Sequence, residues 1–246
     1  MCSHYQTLKD AEKLLKRFGT HAPERPYAYD MHKGYPGLFV RRKAAVPERE
    51  AVVGRWGLIA VDASPFALTL NTFNARDDRV AKARNFRAAW RGGQFCVIPA
   101  DAIFEPDWRQ KYQIATRFKR ADGEPPGLAG MWSRGKDENG EIVETYTMLT
   151  VNADDHPLFK HYHRRGEEKR MVVLLPDEAH DAWLDADPDQ AMGMLRGAPA
   201  EAWTPPRCRW ETRPICRSSS PASGDIDPGQ PAMTRASHRS CHCRRG

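Results

Sequence analysis

Residues 94–104 read QFCVIPADAIF. Apolar side chains dominate this run, and Gly92-Gly93 closes whatever precedes it, so it reads as a buried strand. Pro99 sits in its middle. Proline has no backbone N–H to give to a ladder, which implies an edge or a bulge at that point. Working outward, residues 111–118 alternate as a half-exposed strand does, and the turn-prone stretch 122–127 joins them to 128–132. Asn139-Gly140 is a hairpin turn leading into 141–151, and 171–175 is a short β-rich run. On the other side, 51–61 (AVVGRWGLIAV) suggests a strand broken by Gly54 and Gly57, and 66–73 is a further extended segment. Seven or eight short strands joined mostly by turns predict an antiparallel α+β fold rather than a βαβ array.

Three helical segments complete the reading. Residues 7–18 place Leu8, Ala11, Leu14, Leu15 and Phe18 on one face. Residues 80–90 place Val80, Ala83, Phe86 and Trp90 on one side, and a helix with Asp177 as its N-cap is predicted through Trp183 and Leu184. Residues 19–50, with their Pro, Gly and the basic cluster Arg41-Arg42-Lys43, read as loop-rich. After about Thr204 apolar periodicity is lost and Arg, Ser, Pro and Cys dominate. The expected organisation is therefore one domain, 1–204, followed by a disordered tail, 205–246.

The chain has 246 residues with a formal net charge of +6. From Arg207 onward there are eight Arg against three acids, a surplus of five, which leaves a surplus of one on the preceding 206 residues. Bulk charge therefore steers no nucleic acid to the body, and a site there must be a local patch. No apolar run approaches a membrane span and no signal-peptide pattern opens the chain, so a cytoplasmic protein, nucleoid-associated when on DNA, is expected. The body holds only Cys2 and Cys96 and so no Cys-x-x-Cys pair. Cys208, Cys216, Cys241 and Cys243 of the tail lack a usual zinc spacing, so neither metal nor cofactor is expected.

Cys2 follows the initiator Met, and a residue this small permits removal of Met1. A free N-terminal Cys carries an amine and a thiol on adjacent carbons. Its amine, with a pKa of about 7.7–8.0, is partly neutral near neutral pH and attacks aldehydes. The thiol can then close on the imine carbon to give a five-membered thiazolidine. On position alone, Cys2 reads as merely a small residue that follows Met.

Four collinear segments resemble the SOS response-associated peptidase family. Met1-Cys2-Ser3-His4 is similar to its Met-Cys-Gly-Arg start, and Arg55-Trp56-Gly57-Leu58 to its Trp-Gly strand. Phe73-Asn74-Ala75-Arg76 resembles its Asn-Ala-Arg motif. Cys96-Val97-Ile98-Pro99-Ala100-Asp101-Ala102-Ile103-Phe104-Glu105 resembles its Ile-Pro-Ala-Asp stretch. Leu149–Asp154 and His163 followed by Arg170-Met171 are similar to later family segments. Ser3 and His4 stand where the family has Gly and Arg, Pro106 where it has Trp, and Arg164–Lys169 is an insertion. The resemblance implies a β-rich α+β fold with curved sheets or a barrel-like core and flanking helices. It also implies single-stranded DNA as partner, covalent capture of abasic sites through Cys2, and a monomer.

Under that resemblance the catalytic set is Cys2, Asn74, Glu105 and His163. Glu105 is the candidate acid/base, since a partly buried carboxyl can deliver a proton to a departing hydroxyl. His163 orients the sugar or shuttles a proton, with His161 next in line and His156 a competitor. Asn74 donates and accepts at once, which suits holding a sugar or the Cys2 terminus. Arg76 has the planar fork that matches phosphate oxygens, Trp56 could present a face for a base, and Arg41 and Arg42 could track the DNA backbone. Two other readings stay open. One is a thiol peptidase built on Cys2, His163 and Glu105, and the other is a non-catalytic single-stranded DNA-binding module.

Overall fold

The computed structural model describes residues 2–44, 46–63, 71–109, 112–204 and 213–214. The chain divides into two units, Met1–Ile215, which carries every element named below, and Cys216–Gly246, which lies outside the described residues. The expected tail, 205–246, lies outside the described residues apart from Arg213–Pro214, which pair with Ala115 and Ile114.

The strand anticipated around Pro99 is the hub of the fold. It forms β6 (Phe95–Asp107) and changes partners along its length. Residues 95–99 pair with β8 (Gly127–Lys136), from Phe95 opposite Met131 to Pro99 opposite Gly127. From Ala100 onward β6 pairs with β1 (His4–Thr7), and from Ile103 to Asp107 also with β7 (Ile114–Arg120). Pro99 is the last residue paired with β8, and the register with β1 slips just beyond it, between Ala100 opposite Thr7 and Ala102 opposite Gln6. The missing N–H thus falls where the ladder changes hands, inside the sheet rather than on an outer edge.

The remaining strands close the sheet on itself. β3 (Pro36–Arg42) pairs with both β6 and β4 (Arg49–Trp56). β4 runs parallel to β9 (Ile142–Asn152), and β9 pairs with β8. The circuit β6-β8-β9-β4-β3-β6 is a barrel-like ring. β2 (Asp30–His32) extends the sheet beyond β1. β5 (Asn74–Arg76) lies parallel to β9, and β10 (Arg170–Val172) antiparallel to it. β11 (Leu174–Leu175) pairs with β8, while β12 (Trp203–Thr204) and β13 (Arg213–Pro214) pair with β7. The fold is α+β and mostly antiparallel, with the β9 contacts to β4 and β5 as parallel exceptions.

The ring interior is aromatic. Trp56, Tyr5, Tyr146, Phe39 and Phe118 are fully buried. Tyr5 meets Trp56 edge-on at 4.9 Å, and the Tyr5 and Tyr146 hydroxyls share a hydrogen bond. Gly54 was expected from sequence to break this strand, and it does not, since β4 runs through it. A Cβ there would stand 2.8 Å from the Glu144 carbonyl oxygen, so the missing side chain lets β9 approach. Gly57, at φ +134°, is where the strand ends.

Among the described residues, four helices flank the sheet. α1 (Ala11–Phe18) is shorter than the periodicity suggests, because Thr7 belongs to β1 and Asp10 caps the helix by accepting from the Lys13 N–H at 3.0 Å. Residues 80–90 keep Val80 and Trp90 buried as expected, but they run as turns before the short α2 (Arg87–Arg91). Asp177 is not a cap. It precedes α3 (His180–Leu184) in a 3₁₀ turn, and its carboxylate instead takes ion pairs from Arg17 and Arg120. α4 (Pro188–Met194) carries a capping box between Asp187 and Gln190. Residues 19–50 hold β2, β3 and the start of β4, so the loop-rich expectation there is corrected. Pro36 and Gly37 masked a strand whose Leu38, Phe39 and Val40 are core. Most of the extended segment expected at 66–73 lies outside the described residues.

Candidate active site

β6 continues past the ring as the middle strand between β1 and β7, and this places the site. Side chains alternate across it. Ile103 faces the core opposite Tyr5 and Phe118, so Glu105, two residues on, points the same way. Glu105 is 0% exposed and stands opposite Thr116, itself buried. Cys2 enters just ahead of β1 and is 1% exposed, with its thiol donating to the His4 carbonyl at 3.2 Å. Burial, seconded by the Glu105 charge, pushes the Cys2 thiol up to about 12, although backbone hydrogen bonds from Phe104 and His4 oppose the rise. The thiol is therefore neutral at neutral pH.

Asn74 opens β5, held by parallel pairing opposite Met148 of β9. Its side-chain Nδ2 donates to the Cys2 carbonyl at 2.6 Å. His163 follows a 3₁₀ turn and has φ +64°, which makes it the non-glycine residue in left-handed backbone among those described. Such a conformation costs about 1–3 kcal/mol and persists where surrounding contacts hold it. Here the His163 N–H donates to the Pro106 carbonyl at 2.8 Å, tying the histidine to the residue next to Glu105. Its Nε2 lies 3.0 Å from the Arg170 carbonyl and 3.1 Å from Glu105 Oε2. A carbonyl can only accept, so Nε2 carries the hydrogen, aimed at Arg170 and within a small rotation of the carboxylate.

The structure thus brings Cys2, Asn74, Glu105 and His163 together. It also separates the histidines that sequence left open. His163 is buried beside Glu105, His161 is exposed at a 3₁₀ turn, and His156 bonds the Ala198 carbonyl at 2.9 Å. Both Glu105 oxygens, Asn74 Oδ1 and Thr116 Oγ1 are buried with no well-aligned hydrogen bond among the described residues. Buried polar atoms are rarely left so, and their concentration here marks a place prepared for a polar group.

The four residues expected to meet DNA fare differently. Arg76 is a quarter exposed at the end of β5, with Nε and Nη2 on Asp78 at 2.9 and 2.8 Å and Nη1 on Glu168 at 2.6 Å. Trp56 is 0% exposed and its Nε1–H donates to the Phe73 carbonyl at 2.9 Å. A ring enclosed in the core offers no face to a base, so that expectation is corrected. Arg41 is corrected too. It is 6% exposed, bonds Glu50 at 2.7 Å and Glu144 at 2.9 Å, and lies over the Trp132 ring. Arg42 is spent on Asp185 and Asp181 beside α3. Sequence reading passed over Thr116, Arg170 and Glu168. Thr116 was discoverable by period-2 alternation from Phe118, Arg170 stood only as part of the Arg170-Met171 segment, and Glu168 gave no signal until β5 and β10 paired with the same end of β9.

Comparison with known proteins adds the following. A family model described as SOS response associated peptidase (SRAP) matches residues 1–208. The chain is 28% identical over 196 residues to the abasic site processing protein HMCES of Gallus gallus, covering 68% of this chain and 55% of that protein. It is 26% identical over 168 residues to the abasic site processing protein HMCES of Xenopus tropicalis, covering 59% and 48% respectively. The chain thus spans about half the length of the curated relatives it matches. Among solved structures, a Bordetella bronchiseptica protein superposes with a TM-score of 0.78 at 48% identity, covering 83% of this chain and 98% of that one. A Bacteroides thetaiotaomicron protein shares the fold with a TM-score of 0.67 at 21% identity, over 83% of this chain and 90% of the other.

Proposed function

The chain belongs to the SOS response associated peptidase (SRAP) family, and from that premise we propose that it captures abasic sites in single-stranded DNA as a covalent adduct on Cys2. The observation that carries the reading is the Asn74 amide on the Cys2 carbonyl at 2.6 Å, which holds the front of the chain beside the buried Glu105–His163 pair.

The chemistry begins with removal of Met1, which frees the Cys2 amine. The ring-opened abasic sugar presents an aldehyde at C1′. The neutral amine adds to that carbon, and its proton passes to the carbonyl oxygen to give a carbinolamine. Glu105 or His163 protonates the hydroxyl, which leaves as water while the nitrogen lone pair forms the C=N bond. That bond carries a proton on nitrogen, so the Cys2 sulfur adds to the iminium carbon, the C=N electrons return to nitrogen, and the S–H proton returns to the residue that gave one up. The result is a thiazolidine, and one water is lost overall. A thiol held up at about 12 stays neutral while the amine adds first, and it gives up its proton only as the sulfur closes on the iminium carbon. Arg76 grips a flanking phosphate.

The same thiol argues against the peptidase alternative. With its pKa near 12, the thiolate is about one part in 10⁵ at pH 7. A Cys–His peptidase works by lowering that pKa, and here the Cys2 S–H donates to a backbone carbonyl. A purely non-covalent DNA-binding module would leave the buried Glu105–His163 pair without purpose. The deciding experiment is intact-mass spectrometry of the purified chain before and after mixing with an abasic single-stranded oligonucleotide. Expected are loss of Met1 and an adduct heavier by the oligonucleotide minus one water, whereas Cys2→Ala should lose Met1 and form no adduct. Undiminished adduct in Cys2→Ala overturns the reading.

A further inference from the structure

We propose that Glu168 is an internal stand-in for a DNA phosphate on Arg76, which weakens the grip of this chain on strands that offer no aldehyde. The inference rests on the reading above that Arg76 holds a flanking phosphate. It starts from the Arg76 guanidinium, whose fork is fully engaged. Nε and Nη2 bond Asp78, two residues along the same turn, while Nη1 bonds a carboxylate that arrives from another part of the chain, Glu168 Oε2 at 2.6 Å. The other Glu168 oxygen takes Arg170 Nη1 at 3.0 Å and Asn152 Nδ2 at 3.2 Å. Two oxygens of one anion thus bridge two guanidinium groups, the arrangement a phosphate makes.

Three features make Glu168 a displaceable partner rather than a structural one. Its side chain is one-third exposed and that of Arg76 one-quarter, so a strand can reach the pair from solvent. Arg170 does not depend on it, since its Nη2 also bonds Asp77 and the Thr150 carbonyl. Glu168 lies in the inserted segment 164–169, behind a turn at Gly166 with φ +81° and outside any strand. Although burial alone would raise its pKa, bonds from Arg170 and Arg76 hold Glu168 below the usual carboxylate range, so it competes as a full charge at neutral pH. An intact strand must displace Glu168 and is then free to leave. An abasic strand displaces it once and is kept by the covalent bond.

The test uses the full chain, an intact oligothymidylate and fluorescence anisotropy across a salt series. Freeing one Arg for phosphate steepens the slope of log K against log salt by about 0.7, which amounts to about fivefold tighter binding near 0.1 M salt. Glu168→Gln is expected to show both changes, and Glu168→Ala is a second variant with the same expectation. In an Arg76→Gln background the gain should vanish. The proposal is overturned if Glu168→Gln binds no more tightly than the unmodified chain. It is equally overturned if the gain survives in Arg76→Gln, since that would be a general charge effect. Adduct formation on an abasic oligonucleotide, run in parallel, separates the two ideas. Its absence removes the capture reading and leaves the Glu168 comparison to be judged on the salt slope.

Discussion

The Cys2 thiol gives the sharpest quantitative test. Its pKa stands about three units above the usual value of 9.0, with burial the larger cause and the Glu105 charge the second. At pH 8 an ordinary thiol of pKa 9.0 is about one-tenth thiolate, whereas one near 12 is about 10⁻⁴, a thousandfold difference. Part of this is recovered, because a more basic thiolate is a better nucleophile. With a Brønsted coefficient of about 0.4–0.5, three units return roughly twentyfold. Cys2 in the folded chain, Met1 retained, should thus react with a dithiodipyridine at least about fifty times more slowly than in the denatured chain, before any steric barrier is counted. Site-resolved mass spectrometry of quenched samples distinguishes Cys2 from Cys96 and the tail cysteines. Glu105→Gln should raise the rate yet leave it below the denatured reference, since burial persists. A native rate equal to the denatured one, or an inflection near pH 9, would refute both the burial argument and the amine-first order built on it.

Three further outcomes follow from the same coordinates. Asn74→Ala removes the 2.6 Å bond to the Cys2 carbonyl, and a buried bond is worth about 1–3 kcal/mol, so the adduct rate in a quenched gel assay should fall roughly tenfold to a hundredfold. An unchanged rate would show that the terminus is positioned otherwise. Trp56→Phe keeps the core largely filled but loses the Nε1–H bond to Phe73, so urea unfolding should report a loss of about 1–3 kcal/mol. Its affinity for single-stranded DNA should stay within about twofold, whereas a lost base stack would cost about 1–3 kcal/mol of binding. His180 is fully buried against Phe18, and burial, with the Arg49 charge, lowers its pKa from 6.5 to about 4. The unfolded chain therefore takes up a proton below about 6.5 that the folded chain refuses until about 4. Stability should fall across that window by up to about 3 kcal/mol, and His180→Leu should flatten the fall in urea midpoints measured between pH 7.5 and 4.5.

How far the fold is legible in sequence varies by element. The 94–104 run and the Asn139-Gly140 hairpin are plain because burial and turn chemistry act locally. The helix at 80–90 is misread because spacing records which side chains are buried and not how the backbone gets there. Val80 and Trp90 do share the core side, reached by turns. β3 is missed because its Pro36 and Gly37 are turn residues in composition, yet the ring needs a strand there with no side chain at 37. A Cβ would meet the Tyr146 hydroxyl at 2.1 Å.

The site follows a different logic. Residue type and motif order point to Cys2, Asn74, Glu105 and His163, and the fold collects all four. The same kind of reasoning misplaces Trp56, Arg41 and Arg42, and the difference is physical. A buried carboxylate or a strained histidine is costly, so its presence inside a β-rich body needs a local reason that motif context can carry. A tryptophan or an arginine near a strand is ordinary, and only the partners decide what it does. Arg41 and Arg76 are the same residue type on two strands of one sheet, β3 and β5, with β4 and β9 between them. Arg41 is closed in by Glu50, Glu144 and the Trp132 ring, whereas Arg76 keeps a quarter of its side chain in solvent. Displacing the partners of Arg41 would open the ring beside β9, while displacing Glu168 from Arg76 moves a segment outside the sheet. That contrast is set by topology and is invisible in composition.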